Sequence, residues 1–416
     1  MTLLEEELSA HGRAALERAE RDPLHRLPAG FVGSTASAAI KKPGRQDMAL
    51  IACPDGATAA GVFTKNLVCA APVQLSRRHL VETRGHASAV IINSGCANAA
   101  TGAEGMARAV DCVDAVAREL EVTESSVLVN STGVIGVQLP TERMLPAIPE
   151  MVRALDSCRL LSIAQAIMTT DTYPKTAAVE IEHEGRRGLV CGIAKGAGMI
   201  HPDMAPPQAT MISVLMTDAA VDSRSLQAML EDAVDASFHR ISIDGDTSTN
   251  DSVFVLASGK AGAFPEAKVA AALKAVAREL ALLVVRDGEG FERGIEVRVT
   301  GARTSRDALV VAKTIASSLL VRCAVTGGDP NWGRIVAAAG RAGVPLSVDD
   351  LTLTVGGVDL FRDGAPAATP LAERERVFRA PLVEITLDLG QGSASDEFFS
   401  CGLTEAYVRL NAEYTT

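Results

Sequence analysis

A chain of 416 residues, 47% apolar and 22% charged, is long enough for two domains and has the make-up of an ordinary globular protein. Aromatics at 3% and a formal net charge of −11 exclude a base-stacking or polyanion-binding surface as its main business. Eight cysteines, at 53, 69, 96, 112, 158, 191, 323 and 401, form no CxxC pair and no zinc-spaced set with histidine, so free thiols in a reducing compartment are expected, with no disulfide framework and no metal.

The opening residues are acidic and lack an apolar core followed by small residues, so no secretory signal is expected. No apolar run reaches the ~18 residues of a membrane span, and a cytoplasmic protein is expected. Leu3, Leu4, Leu8, Ala15 and Leu16 fall near one face of a helix predicted over 3–20. Residues 88–94 and 126–131 read as buried strands with a helix near 103–120 between them, and helices follow near 141–155 and 157–167. Strands are predicted at 177–182 and 188–193, then an irregular stretch, MIHPDMAPPQA, then the apolar run TMISVLMTDAAV. The second half predicts helices near 223–237, 265–286, 305–320 and 403–411. Its strands are predicted at 240–243, 252–257, 294–300, 321–326, 351–355 and 382–389. Adjacent strands mixed with helices point to α+β layers and not to a doubly wound parallel sheet.

The stretch from Lys195 to Met211 carries the sharpest chemistry. Gly196 and Gly198 permit close backbone approach or positive φ, and Pro202, Pro206 and Pro207 fix φ and remove amide donors. A strand headed by Thr210 follows. A threonine at the start of a buried strand, behind an irregular loop, is what an amino-terminal nucleophile needs. Its hydroxyl attacks the preceding carbonyl, and the freed α-amine, with a pKa of about 7.7–8.0, then serves as base. From the residues alone, the same stretch also reads as a plain turn before a strand.

The segment KGAGMIHPDM…ATM resembles the self-cleavage site of the ornithine acetyltransferase family. The resemblance runs from about Pro28 to the C-terminus. It passes through IINSGCANA (91–99), STGVIG (131–136), AIMTTDTYPK (166–175), ISIDGDTSTNDS (241–252), RDGEG (286–290), GGDPNWGRI (327–335) and CGLTEAYVRLNAEYTT (401–416). One departure stands out: Ala205-Pro206-Pro207-Gln208 separates Met204 from Ala209, where the family runs directly from Met to Ala-Thr.

The resemblance implies cleavage between Ala209 and Thr210, giving fragments 28–209 (behind a 1–27 extension) and 210–416, with a smaller C-terminal α/β region from about 291. It implies an α/β layered sandwich like that of amino-terminal-nucleophile hydrolases, with helices flanking mixed sheets. Thr210 is then the nucleophile, and Thr132 and Gly133 the oxyanion donors, a role worth about 3 kcal/mol per donor. Thr169, Lys195, Thr210, Glu289, Asn411 and Thr416 become substrate ligands, with Lys195 the single cation beside the cleavage loop. Asn93, Asp244, Asp246, Asp329 and Asn331 receive no catalytic role, since Asx residues beside glycine commonly build turns. The implied reaction moves an acetyl group from N²-acetyl-L-ornithine to L-glutamate without metal or organic cofactor. No sequence feature decides whether acetyl-CoA is a second donor. The fragments are expected to stay together as a heterotetramer of two each, without nucleic-acid or membrane partners. An amidohydrolase using the same nucleophile, a secondary-metabolite acetyltransferase, and an uncleaved homologue are the alternatives.

Overall fold

The computed structural model describes residues 10–41, 44–156, 159–202 and 211–413. It divides into two units: one holds the chain to His239 together with Asp246–Asp287, the other Arg240–Gly245 with Gly288–Thr415. Among the described residues no single helix is long and apolar enough to cross a membrane.

The first unit is built on one eight-stranded mixed sheet. Its strands are β1 (Val32–Ala36), β2 (Met48–Phe63), β3 (His86–Cys96), β4 (Val127–Val134), β5 (Lys175–His183), β6 (Arg186–Lys195), β7 (Ile212–Ala220) and β8 (Ser252–Ala263). They lie in the order β4-β3-β2-β8-β7-β6-β5, with β1 added to β2. The β3–β4 and β7–β8 pairs are parallel and the rest antiparallel. Strand alternation splits the core. Ala49, Ile51 and Cys53 of β2 join Ile193, Val214 and Phe254 and the helix Leu160–Ala166 in one cluster. Met48, Leu50 and Ala52 turn the other way, toward Ala109, Cys112 and Val116 of the helix Gly102–Leu120. A period of two in side-chain direction thus feeds two layers from one strand.

The predicted amino-terminal helix is described over Ala10–Arg21, where Leu16 packs on Tyr173 and Leu283; residues 1–9 lie outside the described residues. Cys53, Cys96, Cys112, Cys191 and Cys401 are buried free thiols whose burial pushes their pKa values up, while Cys323 is exposed.

The second unit has a six-stranded sheet in the order β12-β11-β10-β13-β9-β14. Its strands are β9 (Gly294–Ala302), β10 (Thr352–Val355), β11 (Val358–Arg362), β12 (Ala365–Pro366), β13 (Leu382–Asp388) and β14 (Ala394–Cys401). Helices Ser305–Ala316, Leu319–Gly327, Trp332–Gly340 and Leu371–Phe378 contribute to its apolar core. Residues 321–326, expected as a strand, are helical: Val321 and Val325 are four apart and share a buried helical face. The strand expected at 240–243 reduces to a single bridge, Ile241 to Phe399, because the 3-10 turn Phe238–Arg240 takes up the first of those residues; Arg240 pairs with Asp396 at 2.8 Å.

Candidate active site

The expected oxyanion pair stands at the end of β4. Parallel pairing sets Ser94 of β3 beside Thr132 and Gly95 beside Gly133, with a bulge at Cys96. Gly133 has φ +131°, and a Cβ there would lie 2.3 Å from the carbonyl carbon of Gly95 and 2.6 Å from the nitrogen of Cys96. Both the backbone conformation and the close approach of a second backbone demand glycine.

A buried amide network fixes this strand end. Ser131 Oγ donates to Asn93 Oδ1 at 2.6 Å, and Asn93 Nδ2 donates to the Cys96 carbonyl at 2.9 Å. Asn250 Nδ2 donates to the carbonyls of Ser131 (2.8 Å) and Ala97 (2.6 Å). Two residues on, the Ser252 amide donates to the Met211 carbonyl at 2.9 Å. The segment Asn250–Ser252 therefore ties the Thr132-Gly133 strand to the first described residue after Thr210. Ala209 and Thr210 themselves, like the Ala205–Gln208 insertion and Thr416, lie outside the described residues.

Lys195 ends β6 opposite Ile212 of β7 and is 4% exposed. Gly196 follows with φ +149°. Its amide donates to Asp171 Oδ1 at 2.6 Å, and the Thr169 amide donates to Asp171 Oδ2 at 2.9 Å. One carboxylate thus sets the position of two expected substrate contacts, Thr169 and the Lys195-Gly196 corner.

Asp171 belongs to a buried ionic triad. Lys175 Nζ lies 2.7 Å from Asp171 Oδ1 and 2.5 Å from Asp287 Oδ2, with all three side chains at 1% exposure or less. The amide of Thr172 donates to Asp287 Oδ2 at 3.0 Å, and the Thr172 hydroxyl donates to Asp287 Oδ1. Burial opposes charge on all three. At Asp171 the charges of Lys175 and Lys195 outweigh it and hold the carboxyl well below the usual range. At Lys175 the two carboxylates outweigh it and raise the ammonium pKa. At Asp287 burial wins, with Asp171 adding repulsion, and the carboxyl is pushed up. Dispersing one ammonium over two carboxylates and several N–H donors is what makes a fully buried charge cluster tolerable.

In the second unit Asn411 Nδ2 donates to Glu289 Oε2 at 2.7 Å, joining two expected site residues 122 positions apart. Gly290 (φ +69°) makes this possible: a Cβ there would sit 2.5 Å from Thr404 Oγ1, whose hydroxyl donates to the Gly290 carbonyl at 2.9 Å. The loop after Asp287 is thereby seated on the start of the helix Glu405–Glu413.

Sequence reasoning missed Asp171, Lys175 and Asp287 as a unit, and Asn93 and Asn250 as the supports of the strand end. The Asp-x-x-x-Lys spacing within AIMTTDTYPK was the only available signal. A second lysine, Lys41, is an electrostatic neighbour of both Asp171 and Lys195.

A strand end that carries a buried threonine with a glycine, and another that carries a buried lysine, are of a kind that acyl-transfer enzymes use. The ArgJ family model matches residues 33–416, and the chain belongs to that family. The arginine biosynthesis bifunctional protein ArgJ of Thermosynechococcus vestitus is 44% identical over 93% of this chain and 96% of its own length. That of Chlorobium chlorochromatii is 46% identical over 93% and 90% respectively. A solved chain of Bacillus halodurans ArgJ is 38% identical, covering 47% of this chain and 96% of its own, with a TM-score of 0.46.

Proposed function

We propose that this protein transfers the acetyl group of N²-acetyl-L-ornithine to L-glutamate through an acetyl ester on Thr210. The observation that carries the reading is the tie made by Asn250–Ser252 between the Thr132-Gly133 strand and Met211, the neighbour of Thr210 in the chain. Membership of a family whose relatives bear the name of an arginine biosynthesis enzyme supports the substrate choice.

Maturation comes first. The Thr210 hydroxyl attacks the Ala209 carbonyl, the peptide C–N bond breaks, and its nitrogen leaves as the Thr210 α-amine. Water then hydrolyses the ester to give an Ala209 carboxylate and a free Thr210 hydroxyl. In turnover that hydroxyl attacks the acetyl carbonyl. Its proton passes to the α-amine and on to the departing ornithine nitrogen. Glutamate's amine next attacks the ester, releasing N-acetylglutamate and restoring the hydroxyl. The Thr132 hydroxyl and Gly133 amide are the donors assigned to both tetrahedral oxyanions. Lys195 suits a substrate carboxylate, and Glu289 an amino group. Thr169, Asn411 and Thr416 complete the proposed ligand set.

No metal or organic cofactor enters this scheme, and acetyl-CoA is a further donor to be assayed beside acetylornithine. Two fragments of each kind in one heterotetramer is the proposed assembly. The test is turnover of acetylornithine with and without glutamate. Strict dependence on glutamate supports transfer, whereas equal release of ornithine in its absence makes the enzyme an amidohydrolase.

A further inference from the structure

Asp47, fully buried, organises the turn that follows β1. Its Oδ1 accepts from the amide of Ala38 at 2.7 Å, and its Oδ2 from the amides of Ile40 (2.7 Å) and Lys41 (3.2 Å). The turn so fixed delivers the Lys41 ammonium to the carbonyls of Ala166 at 3.3 Å and Met168 at 2.5 Å. Met168 O and Thr169 N belong to one peptide group, and the Thr169 amide is already taken by Asp171 at 2.9 Å. That peptide is therefore clamped at its oxygen by a cation and at its nitrogen by an anion. Two ionic side chains on one peptide group restrict its rotation far more than one neutral bond does.

We propose that Lys41 is a positioning residue for the acetyl-transfer reaction, fixing Thr169 from the side opposite Asp171. The proposal rests on the reading of Thr169 as a substrate ligand. Lys41 touches the carbonyl of the preceding residue and acts through it.

The surroundings give this clamp a pH dependence. Burial pushes the Lys41 ammonium down to about 8, against the pull of Asp47 and Asp171, while Lys195 and Arg45 add to the depression. As pH rises through that value the ammonium loses its proton, and its bonds to the two carbonyls become ordinary neutral ones. The Thr210 α-amine works in the opposite sense, since it must be unprotonated to accept a proton. The two groups are thus separable in a pH profile.

The experiment compares wild type with Lys41→Met and Lys41→Arg. Loss of a charge-assisted bond should raise KM for acetylornithine about tenfold in Lys41→Met while kcat changes by less than about threefold. Wild-type KM should climb above about pH 8, and Lys41→Arg, whose guanidinium keeps its charge, should hold KM low through that range. Amide exchange over residues 166–172, read on the protein without substrate, should be faster in Lys41→Met than in wild type. Unchanged exchange with an unchanged KM overturns the proposal. Absence of glutamate-dependent turnover in wild type would sink the transfer reading, and the exchange comparison would then decide the clamp by itself.

Discussion

Replacing Asp171 with asparagine preserves its volume and removes the charge that three buried donors share. In the native protein Oδ1 takes Lys175 Nζ at 2.7 Å and the Gly196 amide at 2.6 Å, while Oδ2 takes the Thr169 amide at 2.9 Å. An amide offers one acceptor oxygen, so its NH₂ must confront at least one of those donors. Breaking a buried ion pair outright costs about 3–5 kcal/mol, and each hydrogen bond to a charged group is worth about 1.5–3 kcal/mol. Lys175 retains Asp287, which brings the expected loss for Asp171→Asn to about 2–5 kcal/mol. Equilibrium denaturation of the matched proteins measures it. The acid dependence has a definite sign. Because the Asp171 carboxyl is held below its ordinary value, its contribution is present above the unfolded pKa of about 3.9 and disappears as pH falls through the folded value. The variant should therefore lose less stability than wild type on acidification. Since Thr169 and the Lys195-Gly196 corner lose their common anchor, kcat/KM should fall by about a hundredfold or more. A stability loss below about 1 kcal/mol with unchanged kcat/KM would refute the assignment of Asp171 as that anchor.

Thr210→Ala should yield one uncut chain without activity, and Thr210→Ser should still cut, because only the hydroxyl is needed; denaturing gels and fragment masses decide both. Gly133→Ala puts a methyl group 2.3 Å from the Gly95 backbone at φ +131°, with an expected cost of roughly 2–6 kcal/mol and loss of turnover. Native unfolding midpoints in that variant would mean the strand end is not held as described. Glu289→Gln keeps the hydrogen-bonding shape toward Asn411 and removes the charge, so KM for the amino-acid substrates should rise about tenfold with little change in stability, given the exposed position of the pair. Unchanged KM values for both substrates would remove Glu289 from the ligand set.

Periodicity carried much of the fold. The apolar run after Thr210 reads as a buried strand and is β7; the strands expected at 88–94 and 126–131 are the cores of β3 and β4. Where valines fall in a short apolar helix the pattern misleads, as with Val321 and Val325 in Leu319–Gly327. The site was legible only through resemblance to a family, because its residues are far apart in sequence and are joined by side-chain bonds that no local pattern encodes. Asn411 meets Glu289 across 122 positions, and Asp287 reaches Lys175 across 112. Complete burial of Lys175 could not be foreseen, since an isolated lysine is ordinarily solvated, and only the facing carboxylates make its burial affordable. Lys41 escaped notice for a related reason: nothing in IKKPGRQD announces that Asp47 will accept from the amides of Ile40 and Lys41, or that the Lys41 ammonium will reach the carbonyls of Ala166 and Met168.

The most direct test of the account is the mass of the fragment that begins at Thr210, taken by rapid quench after mixing the enzyme with N²-acetyl-L-ornithine and no glutamate. The account predicts one acetyl group on fragment 210–416, mapped to Thr210 and discharged when glutamate is added. An unmodified fragment from active enzyme, together with intersecting double-reciprocal lines in initial-rate kinetics, would mean direct transfer in a ternary complex and would contradict the covalent role of Thr210.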